Sequence, residues 1–182
     1  MIKRIVKYGE ILLEQQSATL DQNTNNFNEI IRDLADSFNF YDIAIGLSAV
    51  QIGHPYQAFI AKINDNKRFF INPQIMWISE SQSIQMEGCL SFPEIRIPKT
   101  RPRQITISYF DEDLRYHEEA FDNFNARVVL HEYEHCQGVL FNREVSITQK
   151  EIIETKIKRL KKENKWNIDE QMIQVIQRGI AH

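Results

Sequence analysis

The chain has 182 residues, a formal net charge of −3 and 42% hydrophobic residues. This length and apolar content are typical of one globular domain with a hydrophobic core, and they exclude a disordered chain. The small negative charge gives no overall reason to expect nucleic acid or an anionic surface as the main partner. Two cysteines do not make a disulfide framework. If a cysteine thiol binds a metal, the protein would have to be in a reducing compartment.

The N-terminal region carries few structural signals. Residues 1–9 lack an apolar core long enough for a signal peptide or a membrane span, so we expect a cytoplasmic protein. Residues 1–24 are predicted to be irregular. From Phe27 to about Phe40, apolar residues recur at helical spacing, which predicts an amphipathic helix that packs against the core.

A small apolar segment, residues 43–53, contains one amide side chain, Gln51. A polar residue in such a segment needs a physical reason. Either the Gln51 side chain caps a backbone group, or its NH2 group donates a hydrogen bond to an oxyanion that develops during a reaction. The residues alone leave both interpretations open.

The middle of the chain is rich in strand patterns. Residues 56–63 and 68–72 flank Asn64-Asp-Asn66, which is a hairpin signature. Further strands are predicted at residues 75–78, 84–89 and 105–110. Strands are therefore expected to dominate residues 56–122.

One of these strands leads to Cys89 within Glu87-Gly-Cys-Leu-Ser91. Gly88 allows the backbone to approach another group closely, so Cys89 is a candidate metal ligand. Four basic residues follow, and each is expected to be a solvated charge, although Arg101 could pair with Glu87. The four are Arg96, Lys99, Arg101 and Arg103.

An HExxH pattern, His131-Glu-Tyr-Glu-His135, lies in an apolar run without proline. The run is predicted to be a helix that ends near Gly138. Residues four apart lie on one helix face, so His131 and His135 can share one metal ion. Glu132 lies beside that face, where a carboxylate can accept a proton from a water that the metal has made more acidic. The motif supplies two ligands and a base, and it lacks a third ligand.

Three sources of a third ligand can be considered. A glutamate on a following helix, Glu151 or Glu154, would match thermolysin-like proteases. A third histidine six residues after the second is excluded, because Phe141 stands there. A thiolate remains. Cys136 is the poorer choice, because it points about 100° away from the neighbouring histidine around the helix, and Cys89 is the better thiol.

Helical patterns resume after a short strand or extended arm at residues 139–145. Ser146 or Thr148 can cap a helix over about residues 149–164. Its apolar stripe is Ile152, Ile153, Ile157 and Leu160, and its basic face is Lys156, Lys158, Arg159, Lys161, Lys162 and Lys165. The basic face is interpreted as solvated or as a contact for an anionic partner such as ribosomal RNA. Another short helix is predicted from Ile168, Met172, Ile173, Val175 and Ile176.

Three segments resemble, in this order, the motifs of peptide deformylases. These are metal-dependent amidases that remove the formyl group from the initiator methionine of new bacterial polypeptides. The family patterns GxGLAAxQ, EGCLS and HExDH read here as Ala44-Ile-Gly-Leu-Ser-Ala-Val-Gln51, Glu87-Gly-Cys-Leu-Ser91 and His131-Glu-Tyr-Glu-His135. The resemblance covers about residues 27–145.

The resemblance implies a metal site and a base. The ligands would be Cys89, His131 and His135, with water in the fourth position, and Glu132 would be the general acid and base. A His2Cys set with an open position suits Fe2+ or Zn2+. The resemblance favours Fe2+, with Zn2+ or Ni2+ able to occupy the site.

The resemblance also implies groups that hold the substrate and support the ligands. Gln51 and the Leu90 backbone N–H would stabilise the oxyanion formed from the formyl oxygen. The peptide would be held by Ile45, Gly46 and Gly88. The supporting groups would be an ion pair of Glu87 with Arg101, and Glu134, which would orient a ligand histidine or the helix.

Several residues depart from the family pattern without removing a ligand: Ala44, Ser48, Leu130 and Glu134. Two other functions therefore stay open. One is a related metallo-amidase or peptidase with another substrate, for which a Glu154 ligand would be the sign. The other is a non-catalytic deformylase-like paralogue that binds metal or a ribosomal partner. The intact Glu132 argues against the second, because a binding protein has no need of a base.

These patterns together predict an α+β fold in which antiparallel β-sheets pack around a central HExxH helix, followed by a C-terminal helix. Residues 1–182 would form a single deformylase-like catalytic domain, with residues 146–182 as a helical C-terminal extension. The expected partners are N-formylated nascent peptides and, through the basic C-terminal helix, the ribosome. We expect a monomer without membrane association or specific nucleic-acid binding.

Overall fold

The computed structural model describes residues 1–170 and 172–174. The strands in this part of the chain are β1 (Gly46–Ser48), β2 (Ala58–Ile63), β3 (Asn66–Ile78), β4 (Gln82–Cys89), β5 (Phe92–Pro102), β6 (Gln104–Phe110) and β7 (Tyr116–Asp122). The α-helices are α1 (Phe27–Phe40), α2 (Asn123–Cys136) and α3 (Ile147–Lys162), and short 3-10 helices span Ile11–Glu14 and Ala49–Ile52. Residues 168–170 and 172–174 are also helical.

The strands form two antiparallel sheets. Five strands make a sheet in the order β1-β2-β3-β6-β7, and β4 pairs with β5 in a separate two-stranded sheet. The predicted hairpin is present, because β2 pairs with β3 from Ala58 opposite Ile71 to Ile63 opposite Asn66. Cys89 therefore lies on a different sheet from Gly46.

The helix that carries the HExxH pattern packs on the five-stranded sheet. Val129 of α2 is fully buried in one cluster with Phe59, Phe70 and Ile107 of three different strands. Burying such side chains is the main favourable contribution to folding. The prediction of an α+β fold with sheets around a central HExxH helix is confirmed.

A second apolar cluster joins the two-stranded sheet to α3. Phe92 of β5 packs against Phe141, and Ile153, Ile157 and Leu160 of α3 belong to the same cluster. Ser146 caps α3, because its Oγ accepts a hydrogen bond from the Gln149 backbone N–H at 3.2 Å. In the described part of the chain, no helix is both long and apolar enough to cross a bilayer.

The strand β3 runs through Pro73, so the expectation of a separate strand at residues 75–78 is wrong. Proline has no N–H to donate to a ladder, and it is tolerated where the pairing is already irregular. The register between β3 and β6 shifts between Ile71 and Gln74. This bulge accommodates the proline without ending the strand.

Two of the four basic residues expected to be solvated are buried instead. Lys99 and Arg101 are only 7% and 2% exposed. Side chains alternate between the two faces of a strand, so these two lie on the same face of β5 as the buried Ile95 and Ile97. The other two, Arg96 and Arg103, are exposed.

The C-terminal third differs from expectation in detail. Residues 139–145 contain turns at 141–144 and no strand, because amide groups there bond locally, as from Arg143 N–H to the Leu140 carbonyl at 3.0 Å. The helix α3 begins and ends two residues earlier than expected. Ile152 is 62% exposed and does not belong to the buried stripe. The expected last helix is present at residues 168–170 and 172–174, and Val175 and Ile176 lie outside the described residues.

Gly138 lets the end of α2 pack against the N-terminal segment. It has φ +69°, and a Cβ there would lie 2.7 to 2.8 Å from backbone atoms of Glu14 and Gln15. Backbone atoms cannot rotate away as a flexible side chain can. Both the dihedral angle and the contact therefore require glycine.

The substitution Gly138→Ala should lower the free energy of unfolding by about 3 kcal/mol or more, as strain at positive φ adds to the clash. Gly9→Ala is the matched control. Gly9 has φ +98°, and among the described residues nothing lies within 4 Å of a Cβ there. Gly9→Ala should lower the free energy of unfolding by about 1 kcal/mol, because only the positive φ is unfavourable for alanine there. Urea unfolding at fixed metal content measures both, and equal losses would contradict the role given to the contact.

Candidate metal centre

The helix α2 and the end of β4 bring three metal-binding side chains together. The rings of His131 and His135 lie one turn apart on α2, with their centroids separated by 5.2 Å. Cys89, the last residue of β4, places its Sγ 3.3 Å from Nε2 of His135. The ligand atoms of all three residues lie within 4.8 Å of one another. These three residues are the metal ligands that the family resemblance implied.

The chemistry of these three donors fits a divalent metal ion. The Glu87 carboxylate lies 3.0 Å from Nδ1 of His131, so that nitrogen carries the proton and Nε2 is left to bind. Two imidazoles and a thiolate suit Zn2+ and Fe2+, and three protein ligands leave a position for water or substrate. Among the residues that the structure describes, this is the group of His, Cys, Asp and Glu side chains close enough to hold an ion.

The other candidate ligands lie elsewhere. The Glu154 carboxylate accepts a hydrogen bond from the Tyr8 hydroxyl at 3.1 Å. Glu151 is exposed on α3. Cys136 is fully buried in the cluster between α2 and the sheet, where burial raises the pKa of its thiol. The sign expected for a zinc peptidase, a Glu154 ligand, is therefore absent from the group around the histidines.

The charges around Cys89 favour the thiolate, which is the form that binds a metal. Burial raises the pKa of Cys89, but nearby His135 and the hydrogen bond with His131 outweigh it and bring the pKa well below its ordinary value. Burial lowers the pKa of His131. Its hydrogen bonds with Cys89 and Glu87 outweigh this effect and raise the pKa above its ordinary value, so a cation that binds Nε2 must displace a proton. The site thus places negative charge on sulfur.

Glu132 lies beside the donors in a buried position on α2. Burial raises the pKa of its carboxyl group. The Ser48 hydroxyl donates to Oε2 of Glu132 at 2.6 Å. On the facing strand β1, a Cβ on Gly46 would overlap with the Glu132 carboxyl group. The close approach of β1 therefore fixes where this carboxyl group sits, and Ser48, noted in the sequence as a departure, contacts it directly.

The Gln51 side chain caps a backbone group, which is one of the two interpretations that the sequence left open. Its Oε1 accepts a hydrogen bond from the Ser48 backbone N–H at 2.9 Å, which caps the short helix Ala49–Ile52. This bond turns Nε2 toward the site, where it lies 3.3 Å from Sγ of Cys89 and 3.2 Å from Oγ of Ser91. The amide donor is thus held in place by the backbone of its own turn.

A buried ionic cluster links the two-stranded sheet to α2. Arg101 on β5 makes two hydrogen bonds to Glu87, at 2.6 and 2.9 Å, and two to Glu134, at 2.8 and 3.0 Å. Arg127 donates to Glu87 at 2.5 Å. Burial raises the pKa of Glu87, and the bonds from His131 and Arg101 outweigh it, which lowers the pKa to about 2.

The sequence reasoning named only part of this cluster. The expected ion pair of Glu87 with Arg101 is present. Glu134 was expected to orient a ligand histidine or the helix, and its carboxylate accepts hydrogen bonds from Arg101. Arg127 was missed. Its signal in the sequence was a charged residue in an apolar helix, four positions before His131 and so on the same face.

A cleft of about 920 Å3 opens onto the donors. It is lined by the residues expected to hold the peptide, Ile45, Gly46 and Gly88, and by the expected oxyanion donors, Gln51 and Leu90. It is also lined by residues that the sequence did not indicate, from both ends of the chain: Ile5, Lys7, Ile168, Asp169 and Met172. Sequence patterns gave no signal for them, because they are far apart along the chain.

Comparison with known proteins gives a consistent result. Residues 2–174 match the family described as polypeptide deformylase. A peptide deformylase from Christiangramia forsetii is 32% identical over 94% of this chain and 95% of its own length. One from Pseudothermotoga lettingae is 39% identical over 78% of this chain and 81% of its own.

A crystal structure of the Thermotoga maritima peptide deformylase superimposes with a TM-score of 0.75 and 30% sequence identity. The match covers 80% of this chain and 99% of that one. Fold, sequence and the Cys–His–His donor group agree. The chain belongs to the peptide deformylase family, the metal-dependent hydrolases that remove the formyl group from the initiator methionine of new polypeptides.

Proposed function

We propose that this chain hydrolyses the formyl amide of N-formylmethionyl nascent peptides at the cleft above Cys89, His131 and His135. The observation that carries the proposal is the convergence of these three ligand atoms within 4.8 Å, beside the buried Glu132. The products are formate and a peptide with a free methionine amine. We also propose that residues 1–182 act as one catalytic domain, with a C-terminal extension, residues 146–182, that contains helices where the structure describes it; residues 171 and 175–182 lie outside the described residues.

We propose Fe2+ as the ion that Cys89, His131 and His135 hold, with Zn2+ or Ni2+ able to take its place. The donor set is compatible with all three, and the choice of Fe2+ rests on the family resemblance. When bound, such an ion polarises the formyl oxygen and makes an attacking water more acidic. Oxidation of the Cys89 thiolate would remove a ligand.

Glu132 is the proposed proton carrier. Its carboxylate accepts a proton from the attacking water and then gives it to the nitrogen of the methionine as the C–N bond breaks. A carboxyl group whose pKa is raised by burial is suited to both steps near neutral pH. Ser48 and Gly46 fix its position from β1.

The Gln51 amide and the Leu90 backbone N–H are the proposed donors to the formyl oxygen as it gains negative charge. The bond from Ser48 N–H to Gln51 Oε1 orients the amide before substrate arrives. Donors that are already oriented cost no reorganisation during the reaction. Removing one such donor typically lowers the rate by about 10² to 10³.

The peptide backbone is proposed to lie along β1. This strand is at the edge of the five-stranded sheet, so an extended peptide can pair with it. Ile45 and Gly46 would contact the peptide from one side and Gly88 of β4 from the other. All three line the cleft.

We further propose a cytoplasmic monomer that meets its substrate at the ribosome. The basic residues of α3, among them Lys158, Arg159 and Lys162, are exposed and could contact ribosomal RNA. We propose no membrane association and no sequence-specific nucleic-acid binding.

Glu132→Gln should lower kcat by about 10² to 10⁴, because an amide cannot carry the proton. Metal content should stay the same, since all three ligands remain. Formate release from formyl-Met-Ala-Ser, by protein purified anaerobically with Fe2+, measures the loss. Glu112→Gln, at an exposed glutamate, is the control and should match the parent. Turnover by Glu132→Gln within tenfold of the parent would exclude the proposed role.

Gly46→Ala tests the close approach of β1. The added methyl group should displace the Glu132 carboxyl group and lower kcat by about 10², since a misplacement of about 1 Å can have this effect. One metal ion per chain should still bind. The comparison is made by formate release and metal analysis, beside Gly9→Ala. Full activity in Gly46→Ala would contradict the packing described for this strand.

Chelation tests the metal requirement. Protein freed of metal should release no formate, and adding Fe2+ without oxygen should restore more activity than adding Zn2+. Cys89→Ala should bind less metal, because one of three protein ligands is lost. Turnover in protein shown by metal analysis to be free of metal would rule out the proposed mechanism.

A further inference from the structure

The segment after α3 returns across the molecule and forms one wall of the cleft. Trp166 is buried in the same apolar cluster as Leu160 of α3, which fixes the start of this segment. Ile168, Asp169 and Met172 then line the cleft that opens onto the metal ligands. A segment from the C-terminal part of the chain thus shares one cavity with the catalytic groups.

A buried acid holds this wall to the N-terminal segment. Asp169 is 8% exposed as a residue, and its Oδ1 lies 2.9 Å from Nζ of Lys7. Its Oδ2 accepts hydrogen bonds from the Ile5 backbone N–H at 2.9 Å and from the Tyr41 hydroxyl at 3.3 Å. A buried carboxylate with three partners is a firm anchor, because losing them would leave a charge unpaired in the interior.

The anchor also reaches the proposed oxyanion donor. Nζ of Lys7 donates a hydrogen bond to the Leu90 carbonyl oxygen at 3.3 Å. Lys7 therefore connects the segment around Leu90 with Asp169. The position of the wall is fixed relative to the reacting end of the cleft.

The side chains that the wall presents to the cleft are apolar and half exposed. Ile168 and Met172 are 50% and 54% exposed although they line the cavity. Other exposed apolar side chains line the same cavity: Ile43, Ile45 and Met86. Several exposed apolar side chains around one cavity are typical of a ligand site.

We infer that residues 166–170 and 172–174 form a specificity wall, in which Ile168 and Met172 contact apolar side chains of the substrate peptide that follow its formylmethionine. The inference rests on the proposed deformylase function and names a subsite of it. The occupant is a peptide, because the wall is continuous with the cleft in which the formyl amide is cleaved. Asp169, paired with Lys7, is a positioning residue that acts through the wall.

The test uses two substrates, formyl-Met-Leu-Leu and formyl-Met-Ser-Ser, with the full chain loaded with Fe2+. The parent should have the lower KM for the leucine peptide. The double substitution Ile168→Ser and Met172→Ser should raise that KM about tenfold, since contact area with two apolar side chains is lost. The KM of the serine peptide should change less than twofold, and kcat should change little for either.

Ile152→Ser is the matched control, since Ile152 is an exposed isoleucine of α3 outside the cleft lining. It should leave both KM values as in the parent. Asp169→Asn should raise the KM of the leucine peptide by a smaller factor, about threefold, as the wall loses its ion pair. Binding of the product Met-Leu-Leu gives a second readout without turnover, and it should weaken in parallel. Should the double variant unfold, Met172→Gln keeps the side-chain length and tests the same contact.

An unchanged preference for the leucine peptide in the double variant, or an equal loss for both peptides, would overturn the inference while the deformylase function stands. A parent that releases no formate from either peptide would overturn both. The two failures are therefore distinguishable.

Discussion

The Glu87 carboxylate joins the strand that carries Cys89 to the helix that carries the two histidines. Cys89 belongs to a two-stranded sheet, and the histidines belong to α2 on the five-stranded sheet. One carboxylate accepts from Arg101 on β5, from Arg127 on α2 and from His131. A buried charge with this many partners tolerates little movement, because each lost bond would leave a charged group unpaired. We therefore expect the distance from the Cys89 thiolate to the two imidazoles to depend on this contact.

Close contacts also fix the positions of the side chains that are proposed to act in the reaction. Gly46 leaves room for Glu132, and Ser48 donates to the Glu132 carboxyl group while its backbone N–H orients Gln51. The short turn after β1 therefore positions the proposed base and an oxyanion donor together. Asp169 holds the C-terminal wall of the cleft in the same way. Lys7 pairs with Asp169 and donates a hydrogen bond to the Leu90 carbonyl oxygen.

The sequence predicted the features whose causes are local. Helical spacing predicted α1 and the HExxH helix, and Ser146, which caps α3, was one of the two residues expected to do so. Features that depend on distant partners were not predictable. Nothing local to β5 shows that Arg101 meets both Glu87 and Glu134 in the interior. One such feature is β3, which continues through Pro73 because its pairing with β6 is bulged there. Likewise, Asp169 gives no sign of its role until the fold brings Lys7 and Tyr41 to it.

If the Glu87 cluster positions the metal ligands, the affinity of the protein for a metal ion should depend on Glu87. The dissociation constant of Co2+ is to be measured by titration of parent and Glu87→Gln proteins, with Glu112→Gln as control. Glu87→Gln should bind the metal about 10 to 100 times more weakly, which is the usual effect of removing a partner of a ligand histidine. The folded content of the variant is checked by circular dichroism. An unchanged dissociation constant in folded Glu87→Gln protein would contradict the claim.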